Sequence, residues 1–401
     1  MRIRFTCAAA IVVLIAIGFL MACSTKYSNN NNGLVVVPTQ GSAVMQTFSL
    51  DLANGHLSQI NNANGPPTNG IPSSVVLDPA GGFAYMIVYQ NPAVAGSATG
   101  IETFQVASDG KLSPIATTPS TNPVALAIDS AGKLLFVANG IDGTVSVFSI
   151  GNNAALTAAG STSLPLQAGG QAPSASALAV TPTVYPALYA PCSGQTAPTT
   201  ENLYVTDSSN YLLLNYAVSP TGGLTLVPTA TTTGIATGSV PSGVAVDPCN
   251  RFVYVSNSNP NNSVSAYTIC SAPSVVLPVC LNGDFSLNPV TGSPFAISPG
   301  DGPGPLAVDP YGKFLYVVDT GSNQLSAFRI SASNGALASI STYATGAGAN
   351  SIAIRSDDSW LFVADSTAST LSQYAVTPAT GILIPQPATT TFNTPTGVAV
   401  K

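Results

Sequence analysis

The chain has 401 residues, of which only 6% are charged, with 10 Lys and Arg against 16 Asp and Glu and a formal net charge of −6. An ordinary soluble chain carries about 25% charged residues. The sequence has no basic stripe to neutralise phosphates, which excludes a nucleic-acid partner. Ser, Thr, Asn and Gly are abundant between the apolar runs, which excludes a bundle of membrane helices.

Arg2 and Arg4 precede an apolar run from Phe5 to Leu20, and the segment closes on Leu20-Met21-Ala22-Cys23. A basic start followed by an apolar run below the roughly 20 residues of a spanning helix is the layout of a secretory signal. The tetrad resembles a bacterial lipobox, in which the Cys becomes the lipidated first residue of the mature protein. The sequence is therefore read as a lipoprotein signal peptide over 1–22, lipidation at Cys23, a flexible tether over 23–32 and a folded domain over 33–401. Ser24 to Tyr27 and the Asn run at 29–32 are polar and without periodicity, as a tether requires. No later run is long or apolar enough to span a bilayer. The expected place is outside the cytoplasm, held by the lipid at the outer membrane, in the periplasm or at the cell surface, as a monomer.

From residue 73 onward one unit recurs. It opens with a short apolar strand: SSVVLD (73–78), VALAID (124–129), SALAVT (176–181), SGVAVD (242–247), GPLAVD (304–309) and NSIAIR (350–355). A tight turn leads to a second strand of aromatic and aliphatic residues: FAYMIV, LLFVAN, NLYVTD, FVYVSN, FLYVVD and WLFVAD. A third strand carries an aromatic residue near its end, at Phe104, Phe148, Tyr216, Tyr267, Phe328 and Tyr374. A fourth opens with Leu112, Leu156, Leu224, Phe285, Leu337 or Leu383. Self-similarity at this period marks a repeat architecture.

Six units are complete, and the chain ends supply a seventh. Residues 34–60 offer the second strand (LVVVP), the third with Phe48 and the fourth with Leu57, but no first strand. PTGVAV at 395–400 matches PSGVAV at 241–246 at all but one position. The predicted fold is thus all-β, a seven-bladed β-propeller of four-stranded antiparallel blades, whose last blade is closed by the N- and C-terminal strands. Closure of this kind removes open sheet edges. The folded part gives about 53 residues per blade, slightly above the roughly 40–50 of typical propeller repeats.

DPAG (78–81) and DPYG (309–312) suit type I turns, with Asp first, Pro second and Gly last. Asn139, Asp207, Asn257, Asp319 and Asp365 close the second strands and are expected to bond backbone amides there. Lys133, Arg251 and Lys313 follow the turns and are expected to be solvated. Four cysteines remain beyond the leader, an even count that suggests disulfides in an exported chain. Cys270 and Cys280 bracket an insertion between Tyr267 and Phe285. Cys192 and Cys249 lie in equivalent connections of adjacent blades. The expected pairs are Cys192–Cys249 and Cys270–Cys280, although connectivity is not fixed by sequence.

LYVTD (203–207) and VYVSN (253–257), the second preceded by AVDP, resemble the YVTN-type repeats of lactonase-like seven-bladed propellers, a family that includes bacterial 6-phosphogluconolactonases. The resemblance spans residues 33–401. It implies the architecture and, more loosely, lactone chemistry. Enzymes of that family are expected to place His, Glu and Arg in the propeller mouth.

The mouth here is expected where the fourth-to-first and second-to-third connections gather. Those segments hold Asp142, Asp207, Asp301, Asp319 and Asp365 and no Lys, Arg or His. The sole His, His56, lies in a turn of the opposite face. A phosphorylated or carboxylated lactone needs cationic clamps, so the primary reading is a non-catalytic module binding an envelope protein or a glycan. Tyr89, Tyr211 and Tyr343 are the stacking candidates. The alternative is a lactonase-type hydrolase of a neutral lactone, with Asp207, Asp319 or Asp365 as general base. No cofactor or resident metal is expected.

Overall fold

The structure is a computed structural model and describes residues 32–60, 65–182, 201–227, 234–258, 260–270, 285–297, 302–391 and 393–401. The signal segment, Cys23, Cys192, Cys280 and Asp301 lie outside the described residues. Among those described, no helix is long and apolar enough to cross a membrane.

The strands form seven antiparallel sheets, each a blade. Blade 1 takes three strands from the N-terminal side, Asn32–Thr39, Val44–Asp51 and Leu57–Gln59, and its innermost strand, Ala399–Val400, from the C-terminus. Val35 lies opposite Val400 and Val36 opposite Ala399, so the ring is closed by the pairing expected from the sequence. The Leu34 amide donates to the Lys401 carbonyl and the Lys401 amide to the Leu34 carbonyl, both at 2.8 Å, extending the ladder beyond the two paired residues. Blades 2 to 7 follow in chain order. Their innermost strands are Ile71–Leu77, Pro123–Ile128, Ala175–Val180, Pro241–Val246, Pro303–Val308 and Ala349–Ile354.

The seven third-strand aromatics are all buried, from Phe104 at 0% exposure to Phe148 at 6%. They pack between neighbouring blades. Phe104, for example, shares a cluster with Leu34, Val36 and Met45 of blade 1. Each such ring contributes roughly 2–3 kcal/mol of apolar burial.

The turns between first and second strands work as their sequence suggests. Asp309 Oδ1 accepts the amides of Lys313 and Phe314, both at 2.6 Å, and the Gly312 amide closes the turn on the Asp309 carbonyl at 3.0 Å. Gly312 has φ +63°, a conformation that costs glycine nothing. One expectation fails here: Arg251 is not solvated. Its guanidinium forks onto the fully buried Asp247 with two 2.8 Å bonds and donates to the Gly312 carbonyl of blade 6 at 3.1 Å. The blade 5–6 seam supplies a carbonyl and an aromatic floor, Phe252, 5.3 Å below the guanidinium. Lys313 and Lys133 are exposed, as expected.

Blades 4 and 5 depart from the plan at their outer edge. Their fourth strands shrink to Leu224–Leu226 and Leu287–Pro289, and Ile235–Ala236 and Phe295–Ala296 pair separately onto the third strand. Phe285, expected to open the fourth strand of blade 5, stands just before it at φ +59°. Cys249 and Cys270 are buried and disulfide-bonded.

Candidate functional site

The innermost strands of all seven blades surround a central channel with a cavity of about 290 Å³, to which Ser73, Ser176, Ser242, Asn350, Ser351 and Thr396 present polar side chains. A bulge interrupts each inner strand of blades 2 to 7 near its start, for example between Pro241 and Gly243. The bulge frees a carbonyl, and the preceding blade claims it. Ser176 Oγ donates to the Pro241 carbonyl at 2.8 Å, Ser242 Oγ to Pro303 at 2.6 Å and Thr396 Oγ1 to Pro72 at 3.2 Å. Asn350 Nδ2 donates to Pro395 at 3.1 Å and the Tyr89 hydroxyl to Pro123 at 2.7 Å.

This belt has a chemical consequence. With their protons committed to the next blade's carbonyls, Ser176, Ser242 and Thr396 can offer a ligand only acceptor oxygens. Among the described residues no Lys, Arg, His, Asp or Glu lines the channel, so its wall is neutral. Such a wall suits ligands that donate hydrogen bonds and repels phosphate or carboxylate oxygens.

One strand further out, at the mouth, stand the residues that close the second strands. Asn139, Asp207, Asn257, Asp319 and Asp365 are all buried. Asp207 is fully committed: Oδ1 accepts the amides of Ser174, Ser209 and Asn210, and Oδ2 accepts Asn210 Nδ2 at 2.7 Å. Asp365 Oδ2 accepts the hydroxyls of Thr370 and Ser372, and the Ser372 and Gly346 amides also act on its carboxyl. A Cβ at Gly346 would fall 2.7 Å from Asp365 Cγ, so this backbone passes directly over the acid. Asp319 Oδ2 accepts Ser326 Oγ at 2.7 Å, while Oδ1 is buried without a hydrogen-bonding partner. Burial pushes its pKa up to about 6, against the opposing bond from Ser326.

Glu102 is an acid of this ring that sequence reading missed. In blades 3, 5, 6 and 7 a third-strand serine (Ser146, Ser265, Ser326, Ser372) sits beside the residue that closes the second strand. In blade 2 the second strand has Val88 where the others have Asn or Asp, and Glu102 occupies the serine position, opposite Met86. Its side chain is 3% exposed, Oε2 accepts the Asn69 amide at 3.0 Å, and burial pushes its pKa up to about 7. The signal in the sequence is a lone acid in a column of serines, in the complete blade that lacks its strand-end Asn or Asp.

The three tyrosines have separate fates. Tyr89 is half-buried and tied to Pro123, and burial raises its pKa. The Tyr343 hydroxyl accepts the Leu383 amide at 3.0 Å, and its ring meets Tyr374 edge-on at 6.1 Å. Tyr211, 44% exposed with φ +57°, stands free on the rim. His56 lies in the turn Asn54–Leu57, its Nδ1 3.2 Å from Ser58 Oγ. Among the described residues, no three His, Cys, Asp or Glu side chains converge to hold a metal ion.

The model of the lactonase family, described as a seven-bladed β-propeller, matches residues 27–179 and 284–401. The chain belongs to that family. Its fold is shared by a candidate 6-phosphogluconolactonase of Bacteroides fragilis, at 17% identity and a TM-score of 0.72 over 93% of this chain and 99% of that one. A protein of Lactobacillus plantarum matches at 17% identity and a TM-score of 0.72, over 92% and 99% of the two chains. The periplasmic gluconolactonase of Pseudomonas aeruginosa matches at 18% identity and a TM-score of 0.69, over 92% and 98%. The sequence has no match among curated proteins.

Proposed function

We propose that this lactonase-family propeller is an exported hydrolase of an uncharged lactone, with Asp319 as general base. The observation that carries the reading is the neutral, acceptor-lined channel at the centre of a lactonase fold. A lactone bearing hydroxyls donates to that wall, while a phosphorylated one meets no cation there. Two of the predicted acids, Asp319 and Asp365, keep an oxygen without a hydrogen-bonding partner; the Gly346 backbone passes over Asp365, whereas Asp319 is held in orientation by Ser326. In the reaction Asp319 takes a proton from water as the water oxygen attacks the lactone carbonyl. The ring C–O bond then breaks, and the leaving alkoxide takes the proton back, giving the hydroxy acid. A base with a pKa near 6 is ionised at neutral pH and still basic enough to act. The test is turnover of a panel of neutral lactones. Asp319→Asn should lower kcat by about 10²- to 10⁴-fold and abolish the acid limb of the pH profile near the folded pKa. Full activity in Asp319→Asn would refute the assignment.

A second reading, a non-catalytic module for an envelope protein or glycan, draws support from Asp207 and Asn257, which serve wholly as strand-end caps. Ligand retention without turnover across the panel would favour it. The cellular setting is part of the proposal. Cys23 carries the lipid, which Cys23→Ala would abolish in a lipid-incorporation assay. Cys249 pairs with Cys192 and Cys270 with Cys280, which non-reducing peptide mapping reads directly.

A further inference from the structure

We propose that the mouth rim of blades 3 to 5 is a recognition surface for an aliphatic substituent on the lactone. This rests on the hydrolase reading and adds a substrate class to it. Large apolar side chains are rarely left exposed in a group without a purpose. Here Ile141 is 82% exposed, Leu166 71%, Tyr211 44%, Val240 40% and Val124 39%. All five lie in connections or strand starts at the mouth, on three successive blades.

Contacts between neighbouring connections join these positions into one arc. The Gly140 amide donates to the Asn122 carbonyl at 3.0 Å, and a Cβ at Gly140 would lie 3.0 Å from Val124 Cγ1, which places Ile141 beside Val124. The Leu164 amide bonds the Gly143 carbonyl at 2.8 Å, bringing Leu166 alongside. Gln171 bonds Asn210 at 2.9 Å, and the Thr237 amide bonds the Tyr211 carbonyl at 2.9 Å, carrying the arc to Val240. Val124 also lines the central cavity, so arc and channel are continuous. A ligand head in the channel would leave its tail on the arc.

The rest of the mouth lacks this character. The matching connections of blades 6, 7 and 1 read Thr320-Gly321-Ser322, Ser366-Thr367-Ala368-Ser369 and Gln40-Gly41-Ser42. Of the other large exposed aliphatics, Ile115, Ile382 and Ile384 sit on outermost strands, and Val94, 41% exposed, is a single residue in the second-to-third connection of blade 2.

The experiment uses the full exported chain with γ-lactones whose alkyl substituent lengthens from none to octyl, and with the matching γ-lactams for calorimetry. Burying a methylene is worth roughly a fourfold gain in affinity. On an open rim kcat/KM and lactam affinity should rise by roughly two- to fourfold per methylene. Ile141→Ser and Leu166→Ser should flatten that slope, and Ile384→Ser should leave it intact. A flat slope in the wild type, or an unchanged slope in the rim variants, overturns the proposal. If no lactone is hydrolysed while lactam affinity still climbs with chain length and falls in the rim variants, the hydrolase reading fails and the rim assignment stands. Binding to phosphatidylglycerol vesicles that depends on Leu166, with a flat lactam slope, would overturn the proposal in favour of a membrane surface.

Discussion

Blades 6 and 7 and blades 4 and 5 are built from the same repeat and solve the same packing problem differently. In blades 6 and 7 the outermost strands, Leu337–Ala344 and Ile382–Thr390, run continuously and the seams close by apolar contact. In blades 4 and 5 the outer strand is broken into two short pieces, Cys249 and Cys270 are each disulfide-bonded, and Arg251 clamps Asp247. The family model matches on both sides of this region and skips residues 180–283. Tyr211 and Val240, two of the five residues of the apolar arc, fall within the skipped stretch. A repeat scaffold can vary its outer edge and loops where its inner strands remain paired, and here the variation coincides with the asymmetric part of the mouth.

This contrast predicts unequal responses to perturbation. The largest is expected on reduction of the disulfides. Losing a cross-link costs about 2–4 kcal/mol, and hydrogen exchange should speed up in blades 4 and 5 before it does in blades 6 and 7. Uniform acceleration around the ring would contradict the contrast. Next is Arg251→Ala, which strands the buried Asp247 carboxylate and should cost about 3 kcal/mol by denaturant unfolding. Lys313→Ala, at the same position one blade on, should leave the midpoint unchanged.

Smaller in size, and opposite in sign, is Asp358→Asn. Asp358 stands in its turn where blade 6 has Gly312, at φ +59°, buried with neither carboxylate oxygen bonded. Burial first, then the charge of Asp309, pushes its pKa up to about 7, while Lys313 opposes the shift. The unfolded carboxyl releases its proton near pH 4, and the folded one holds it until about pH 7. Raising the pH through that window therefore costs the folded state stability. Asp358→Asn should stabilise the chain by about 1–2 kcal/mol at pH 8 and do little at pH 4. Equal effects at both pH values would dismiss the charge as the cause. The smallest stability effect is expected at Tyr211→Ser, within about 0.5 kcal/mol, although ligand affinity should fall.

The fold was legible because closure leaves a mark in sequence: the strand missing near residue 34 reappears at 395–400, and Val35 and Val400 do pair. The strand-end acids and third-strand aromatics were legible for the same reason, since a sevenfold repeat writes each position many times. What was hidden depends on contacts between blades. Nothing near Arg251 announces that Gly312, sixty-one residues away, would receive its guanidinium. Glu102 was obscured because the acid moved from the second strand to the third, so no single-strand pattern reveals it. Tyr89 and Tyr343 looked like rim residues until Pro123 and Leu383 were seen to hold their hydroxyls. The apolar arc needed the structure, because exposure of Ile141 and Leu166 depends on which way their connections turn.

The most direct test of the account compares a neutral lactone with its phosphorylated counterpart as substrates of the same purified chain. The neutral, acceptor-lined channel predicts hydrolysis of the first and only background rates with the second. A preference for the phosphorylated lactone would mean that charge is recognised where the channel offers no cation, and would contradict the site described here.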